Sequence, residues 1–377
     1  MRALSLVTIF FHLLASASGW TAMRPISSVL NTALRSTAAG VNQPEPISSP
    51  RAKLTIRQKQ FWEDVETGIS DIKRAYSCDS DLPRIEAFQE VAQWKTTAPQ
   101  PQAELHDPCE EYIPGLTAKP YWESESDRSN FPWIDELEER SGVIIKEFFE
   151  VMERENKERQ EKLEKERQLK AMYDIPSDSR DSSLFSSDSA WQNDVMGAGW
   201  SAVRLQRLGE WNAENCARFP NTYEVIRSLD IPLAVRGVCF ARQTPGSGVF
   251  PHSDGRNFIL TSHLGIKIPE GPGVSMKVGS ETRQWLEGKV LTLDTSFVHS
   301  TKNDSPEDRY VLIIDFWHPE LTEIERKCLE FVYDLRNKFE RGDVPVRPLR
   351  KTYEDDPGKT EGKGLAGLWQ AVTTKNK

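Results

Sequence analysis

His252, Ser253 and Asp254 place an imidazole and a carboxylate two residues apart, and a second imidazole, His299, follows 45 residues after the acid. Two histidines and one carboxylate can occupy one face of an Fe(II) ion and leave the opposite positions open to small ligands, the arrangement of non-haem oxygenases. Ten residues past His299 stands Arg309, at the head of an apolar run. A guanidinium aimed into a cavity suits a two-point grip on a carboxylate. Each member also has an ordinary reading: His252 and Asp254 as a self-bonded turn, His299 as a surface residue, Arg309 as a partner of Glu307 or Asp308. The four together, on a strand-and-turn frame, favour the metal reading.

That frame is visible around them. Residues 234–242, 257–268, 274–278, 289–293 and 310–316 are short runs rich in Val, Ile, Leu and Phe, separated by Gly/Pro clusters at 244–248 and 269–273 and by Asn303-Asp-Ser-Pro306. Such spacing predicts a closed or double-sheet β unit, a jelly roll (double-stranded β-helix), within a mainly β, α+β chain. Helices flank it. Phe61, Val65, Ile69 and Ile72, then Phe88, Val91 and Trp94, recur at helical spacing in a region 54–110 whose role the sequence does not show. Residues 319–339 repeat the pattern with Leu321, Ile324, Leu329, Val332 and Leu335. Trp133 to Tyr173 reads as one long helix. Its second half pairs Glu with Lys or Arg four residues on, which favours a solvated insertion at 150–173 over a partner-docking arm. Ser177–Ser189, with seven serines and three aspartates, reads as a loop, and 340–377 as a mobile tail.

Composition narrows the classes. The 377 residues hold 48 Lys and Arg against 57 Asp and Glu, a net charge of −9, which argues against phosphate-driven nucleic-acid binding. No apolar run reaches the ~18 to 20 residues of a membrane span, so none is expected in the mature chain. Five cysteines without a CxxC pair make neither a disulfide framework nor a zinc site of usual spacing. At the N-terminus, Arg2, the apolar Leu4–Leu14 and the small residues Ala15–Gly19 have the layout of a signal peptide, 1–19. Residues 20–53 follow, free of acids until Glu45 and rich in Ser, Thr and Ala, as in a transit peptide. Together they resemble the bipartite plastid presequence of algae with secondary plastids; the alternative is an ER or secreted protein with a disordered mature N-terminus.

The motifs themselves point to a family. Pro114-Gly-Leu116, Tyr121-Trp122, Val249-Phe-Pro-His-Ser-Asp254, His263-Leu-Gly-Ile266, Glu281-Thr-Arg-Gln-Trp285, Glu287-Gly-Lys-Val-Leu291, Asp294-Thr-Ser-Phe-Val-His299 and Asp315-Phe-Trp-His-Pro-Glu-Leu321 resemble the aspartyl/asparaginyl β-hydroxylase domain over about 112–330, within a unit placed at 111–335. The resemblance implies dependence on Fe(II), 2-oxoglutarate and O2. It implies His252, Asp254 and His299 as iron ligands, Arg309 as the anchor of the distal 2-oxoglutarate carboxylate, and His263 beside that co-substrate. The hydroxylated group would be a peptidyl Asp or Asn, with a small-molecule or lipid acyl substrate as the alternative. Animal members have Gly in place of Asp254 and Arg in place of Thr261, and the tetratricopeptide region that precedes their domain is not evident here. Two other classes stay open: a non-catalytic jelly-roll binding module, and a cupin-type isomerase with no use for Arg309. Trp200, Trp285 and Trp317 read as packing and His318 as a structural residue at a strand end; Val249, Phe250, Leu260 and Ile266 could wall a dry pocket, with several of them better read as ordinary core.

Overall fold

Strict alternation along one strand sets the architecture. In β10 (Arg309–Trp317) Tyr310, Leu312, Ile314 and Phe316 join a core shared with helices, whereas Val311 joins a second core between two sheets. β10 is therefore buried on both faces. The computed structural model describes residues 54–78, 81–94, 109, 111–123, 125–173 and 199–350. The expected presequence, the Ser177–Ser189 loop and the tail beyond 350 lie outside these residues.

The other strands are β1 (Trp200–Arg207), β2 (Glu210–Trp211), β3 (Leu233–Gln243), β4 (Ser247–His252), β5 (Ile259–Lys267), β6 (Val274–Val278), β7 (Glu281–Arg283), β8 (Val290–Leu293) and β9 (His299–Asn303). Six form an antiparallel sheet in the order β2-β1-β3-β10-β5-β8, and four form a second in the order β4-β9-β6-β7. The sheets close on Trp200, Ala241, Val249, Met276, Leu293, Phe297 and Val311, the jelly-roll core expected from the sequence. β1, β4 and β9 carry no long apolar run and were not separately resolved in the sequence pattern.

Helices cover the outer face of the larger sheet. α4 (Trp133–Glu139) and α5 (Ser141–Tyr173) lie there with α6 (Ala213–Arg218) and α7 (Pro220–Ser228), and α3 (Glu125–Arg128) precedes them. Phe148 of α5 packs on Phe240 of β3 at 5.0 Å between ring centroids. Glu147, one residue before, accepts from the backbone N–H groups of Asn221 and Thr222 at 2.7 Å each, capping α7. The single helix expected over 133–173 is broken at Arg140, which ends α4 and donates to Ser228 Oγ at 2.6 Å. The break lets Ile134 and Leu137 on one segment, and Ile144, Phe148 and Val151 on the next, all reach the same core. Beyond Val151 the charged half of α5 exposes Leu163 and Leu169, as a solvated helix does.

At one end of the sheets α1 (Ile56–Ala75), α2 (Pro83–Trp94) and α8 (Glu323–Arg341) enclose Phe258, Ile259 and Trp317. Capping boxes start α1 at Thr55 and Gln58 and α8 at Thr322 and Glu325. The stretch 343–350, read as the start of a mobile tail, instead lies along α1: Arg347 pairs with Glu63 and Asp64, and Arg57 donates to Val344 O. Among the described residues no helix is long and apolar enough to cross a membrane.

Candidate metal centre

The two histidines meet because one strand carries an extra residue. β4 pairs with β9 so that Val249 lies opposite Thr301 and His252 opposite His299, which inserts one residue on β4 between the two pairs. A bulge of this kind turns the following side chain to the other face. Val249 packs in the inter-sheet core and His252 faces His299, their rings 4.2 Å apart. Each Nδ1 lies against the carbonyl two residues earlier, at 2.7 Å from Phe250 O for His252 and 3.0 Å from Phe297 O for His299. That bond holds the proton on Nδ1 and turns the Nε2 lone pair to the centre.

Asp254 completes the group. Its backbone N–H donates to Thr295 O at 2.9 Å and Ser253 Oγ donates to Ser296 O at 2.8 Å, so the turn is pinned to the loop leading into β9. One donor atom from each of His252, Asp254 and His299 lies within 4.8 Å of the others. Burial alone would raise the Asp254 carboxyl, but the Arg236 guanidinium, with His299 and His252, holds it far below the usual carboxylate range. Burial, with His252 beside it, pushes His299 down to about 4, so both donors are in the form a cation binds.

Arg309 stands on the inner face of the larger sheet, across the inter-sheet space from the smaller sheet that carries His252 and His299. It is 1 % exposed, and its guanidinium donates to Gln243 Oε1, which also accepts from Thr301 Oγ1 at 3.0 Å. The acids named as its ordinary partners go elsewhere, Glu307 to Lys267 and Asp308 to Arg242. No carboxylate of the described residues pairs with it. Burial pushes it down to about 9, and Arg309 Nε and Gln243 Nε2 are buried without a hydrogen-bond partner. Buried donors are normally satisfied, so these two, beside a cation with no carboxylate partner, are donors that can seat an anion.

His263 lies on β5 of the larger sheet, opposite Ile313 of β10. Burial, then the charge of Arg309, then His299, push it down to about 3. Trp285 Nε1 donates to its Nδ1 at 3.2 Å, which leaves the proton on Nε2. The Arg309 guanidinium also rests 4.4 Å above the Trp285 ring. Trp285, read from the sequence as packing, thus orders both groups of the anion seat. Trp285→Phe keeps a ring face and loses the N–H. It should raise the KM for the bound anion about fivefold, the worth of one hydrogen bond, with kcat within about twofold, in initial-rate titrations.

Of the four residues weighed as pocket wall or ordinary core, Leu260 and Ile266 are ordinary core on the helix side, because they alternate with Thr261 and His263 on β5. Phe250 is 63 % exposed. Arg236, Asp315 and Gln243 were missed. The available signal was a charged residue inside an apolar run, as in Leu312-Ile-Ile-Asp-Phe316.

Burial of neutral histidines has a pH consequence. His263 at about 3 and His318 at about 4 both lie below the ordinary 6.5, through burial first. The unfolded chain takes up these protons before the folded one. Stability is therefore full above about pH 6.5 and falls as pH drops toward 4, by up to about 1.4 kcal/mol per unit for each histidine. Glu111 extends the loss from 4.5 to about 2: burial would raise it, but Arg336 and Arg256 hold it down. Urea midpoints at pH 7.5, 6 and 5 should fall in that order; equal midpoints would contradict the assignment.

Comparison with known proteins agrees with the motif reading. Residues 138–319 match the family described as aspartyl/asparaginyl beta-hydroxylase, a shorter span than the 112–330 read from the motifs. The chain is 36% identical over 132 residues to the aspartyl/asparaginyl beta-hydroxylase of Mus musculus, covering 34% of this chain and 18% of that protein. It is 35% identical over 149 residues to aspartate beta-hydroxylase domain-containing protein 1 of Homo sapiens, covering 36% and 38%. The chain spans less than half the length of these relatives. Among solved structures, a prolyl-4-hydroxylase of Pseudomonas putida is similar with a TM-score of 0.24 at 14% identity, over 34% of this chain and 74% of that one.

Proposed function

We propose, with the family match of residues 138–319 as premise, that this chain is an Fe(II)- and 2-oxoglutarate-dependent dioxygenase that hydroxylates an unactivated C–H bond. One observation supports this over the other classes: Arg309, buried and paired with no carboxylate of the described residues, faces the same inter-sheet interior as two imidazole Nε2 atoms and a carboxylate. A binding module has no need of the metal donors, and an isomerase has no need of the guanidinium. His252, Asp254 and His299 would hold Fe(II), and their mixed nitrogen and oxygen donor set fits that ion. When bound, iron supplies O2 activation coupled to oxidative decarboxylation of the 2-oxo acid to succinate and CO2.

The chain's own residues orient the reactants. Arg309 grips the distal carboxylate of 2-oxoglutarate, with Trp285 beneath the guanidinium and Gln243 fixing one of its nitrogens. His263, neutral and protonated on Nε2, is a hydrogen-bond donor to the same co-substrate. Val249, Phe297 and Leu293, in the core between the sheets, keep the interior dry. The substrate is a peptidyl Asp or Asn, consistent with the relatives' names; a small molecule or lipid acyl group is the other candidate. The layout of residues 1–53 supports a plastid as the workplace, with the ER lumen or secretion as the alternative.

The experiment is a turnover assay with Fe(II), 2-oxoglutarate and O2. Succinate must form only when all three are present, and Asp- or Asn-containing peptides must gain one oxygen atom. An extract incubated with the enzyme reveals other substrates by the same gain. Absence of succinate under all conditions overturns the proposal.

A further inference from the structure

The alternation of β3 breaks between Leu233 and Val238, where five steps of β3 lie opposite two of β10, and Gly237 sits in that stretch. Val238 and Phe240 face the helices and Ala241 faces the smaller sheet, so regular pleating would send Arg236 outward with Val238. Gly237 has φ +76°, and a Cβ there would lie 2.0 Å from Gln206 Oε1 and 2.2 Å from Gln206 O. Only glycine fits this close, left-handed position. The change of phase turns Arg236 inward. Its Nη1 donates to Asp254 Oδ2, and its Nη2 lies 3.0 Å from Asp315 Oδ1, 2.9 Å from Thr261 Oγ1 and 3.2 Å from Thr295 Oγ1.

These bonds divide the two oxygens of Asp254. Oδ2 is taken by the guanidinium, while Oδ1 is 3.9 Å from His252 Nε2. Asp315 anchors the guanidinium from behind, itself held by Thr261 Oγ1 at 2.6 Å. We propose that Arg236 is a positioning residue that makes Asp254 a one-oxygen metal ligand. A carboxylate free to turn can chelate through both oxygens and fill a position that a co-substrate needs. With Oδ2 tethered, Asp254 presents Oδ1 alone and the open face keeps its size. The inference rests on the metal reading of the site and adds to it a group from a strand that contributes no ligand.

A merely structural Arg236 would neutralise two buried acids and nothing more. Arg236→Gln with Asp315→Asn removes one buried cation and one buried anion together, so the balance is kept if the single variant fails to fold. The readouts are Co(II) affinity and the visible Co(II) spectrum of the full chain. The pair of changes should lower Co(II) affinity about 10- to 100-fold, the usual cost of removing a partner of a metal ligand, and shift the spectrum. In an Asp254→Gly background the same pair should change affinity less than about twofold, since no carboxylate is left to orient. Unchanged affinity and spectrum in the chain that keeps Asp254, or an equal loss in the Asp254→Gly background, overturns the inference and leaves the metal reading standing. A wild-type chain that binds no Co(II) overturns both.

Discussion

His299→Ala is expected to reduce 2-oxoglutarate turnover at least about a thousandfold, because removing a ligand forfeits the several kcal/mol that a bound metal supplies to the reaction. The structure separates this loss from misfolding. His299 begins β9, its Nδ1 bonds only the carbonyl two residues earlier, and its pairing with His252 and Val278 is through the backbone. Alanine keeps that ladder. It leaves His252 and Asp254, with Asp254 still tethered to Arg236, so the remaining donors stay in place. Initial rates of succinate formation alongside circular dichroism test it. Retention of more than a tenth of the wild-type rate by a folded variant would contradict a ligand role.

The second large effect has an unusual sign in stability. Arg309→Met should raise the KM for 2-oxoglutarate about 30- to 100-fold, the worth of a charge-assisted two-point contact of roughly 2 to 3 kcal/mol. Removing a large buried side chain ordinarily destabilises a core. Here the guanidinium lacks an anionic partner among the described residues, burial lowers it to about 9, and its Nε is unsatisfied. A methionine keeps the unbranched stem and discards the desolvated charge, so the ligand-free melting temperature should stay level or rise. Added 2-oxoglutarate should then stabilise the wild type and not the variant. A ligand-free variant that melts well below the wild type would make Arg309 a structural residue.

Where burial is two-sided the sequence was legible. β10 is a nearly continuous apolar run and β5 carries Ile259, Leu260, Leu264 and Ile266, and their pattern leads directly to a packed double sheet. β4 and β9 were hidden for the same physical reason that makes them functional: the inner positions of β9 are His299, Thr301 and Asn303, so no apolar alternation marks them. The candidate donors were legible as residue types. What could not be read was the geometry that unites them, a bulge before His252 and a left-handed Gly237 before Val238, since each depends on the partner strand.

Long-range pairings were equally hidden. The helices of 54–94 follow from periodicity. Their relation to the metal turn does not, and that relation runs through the following segment: Glu111 pairs with Arg256 two residues past Asp254, and Asn257 exchanges two hydrogen bonds with the backbone of Ile113. Trp285 looked like packing because nothing local tells an indole in a core from one that bonds a histidine 22 residues away.

The proposed function requires three donors and one guanidinium to serve a single interior, one end for a cation and the other for an anion. Anaerobic calorimetric titration of 2-oxoglutarate into Fe(II)-loaded and metal-free protein tests it most directly. One molecule should bind per chain, much more tightly with Fe(II) than without, and binding should be weakened by either Arg309→Met or His299→Ala. Equal affinity with and without the metal, or binding indifferent to Arg309, would contradict it.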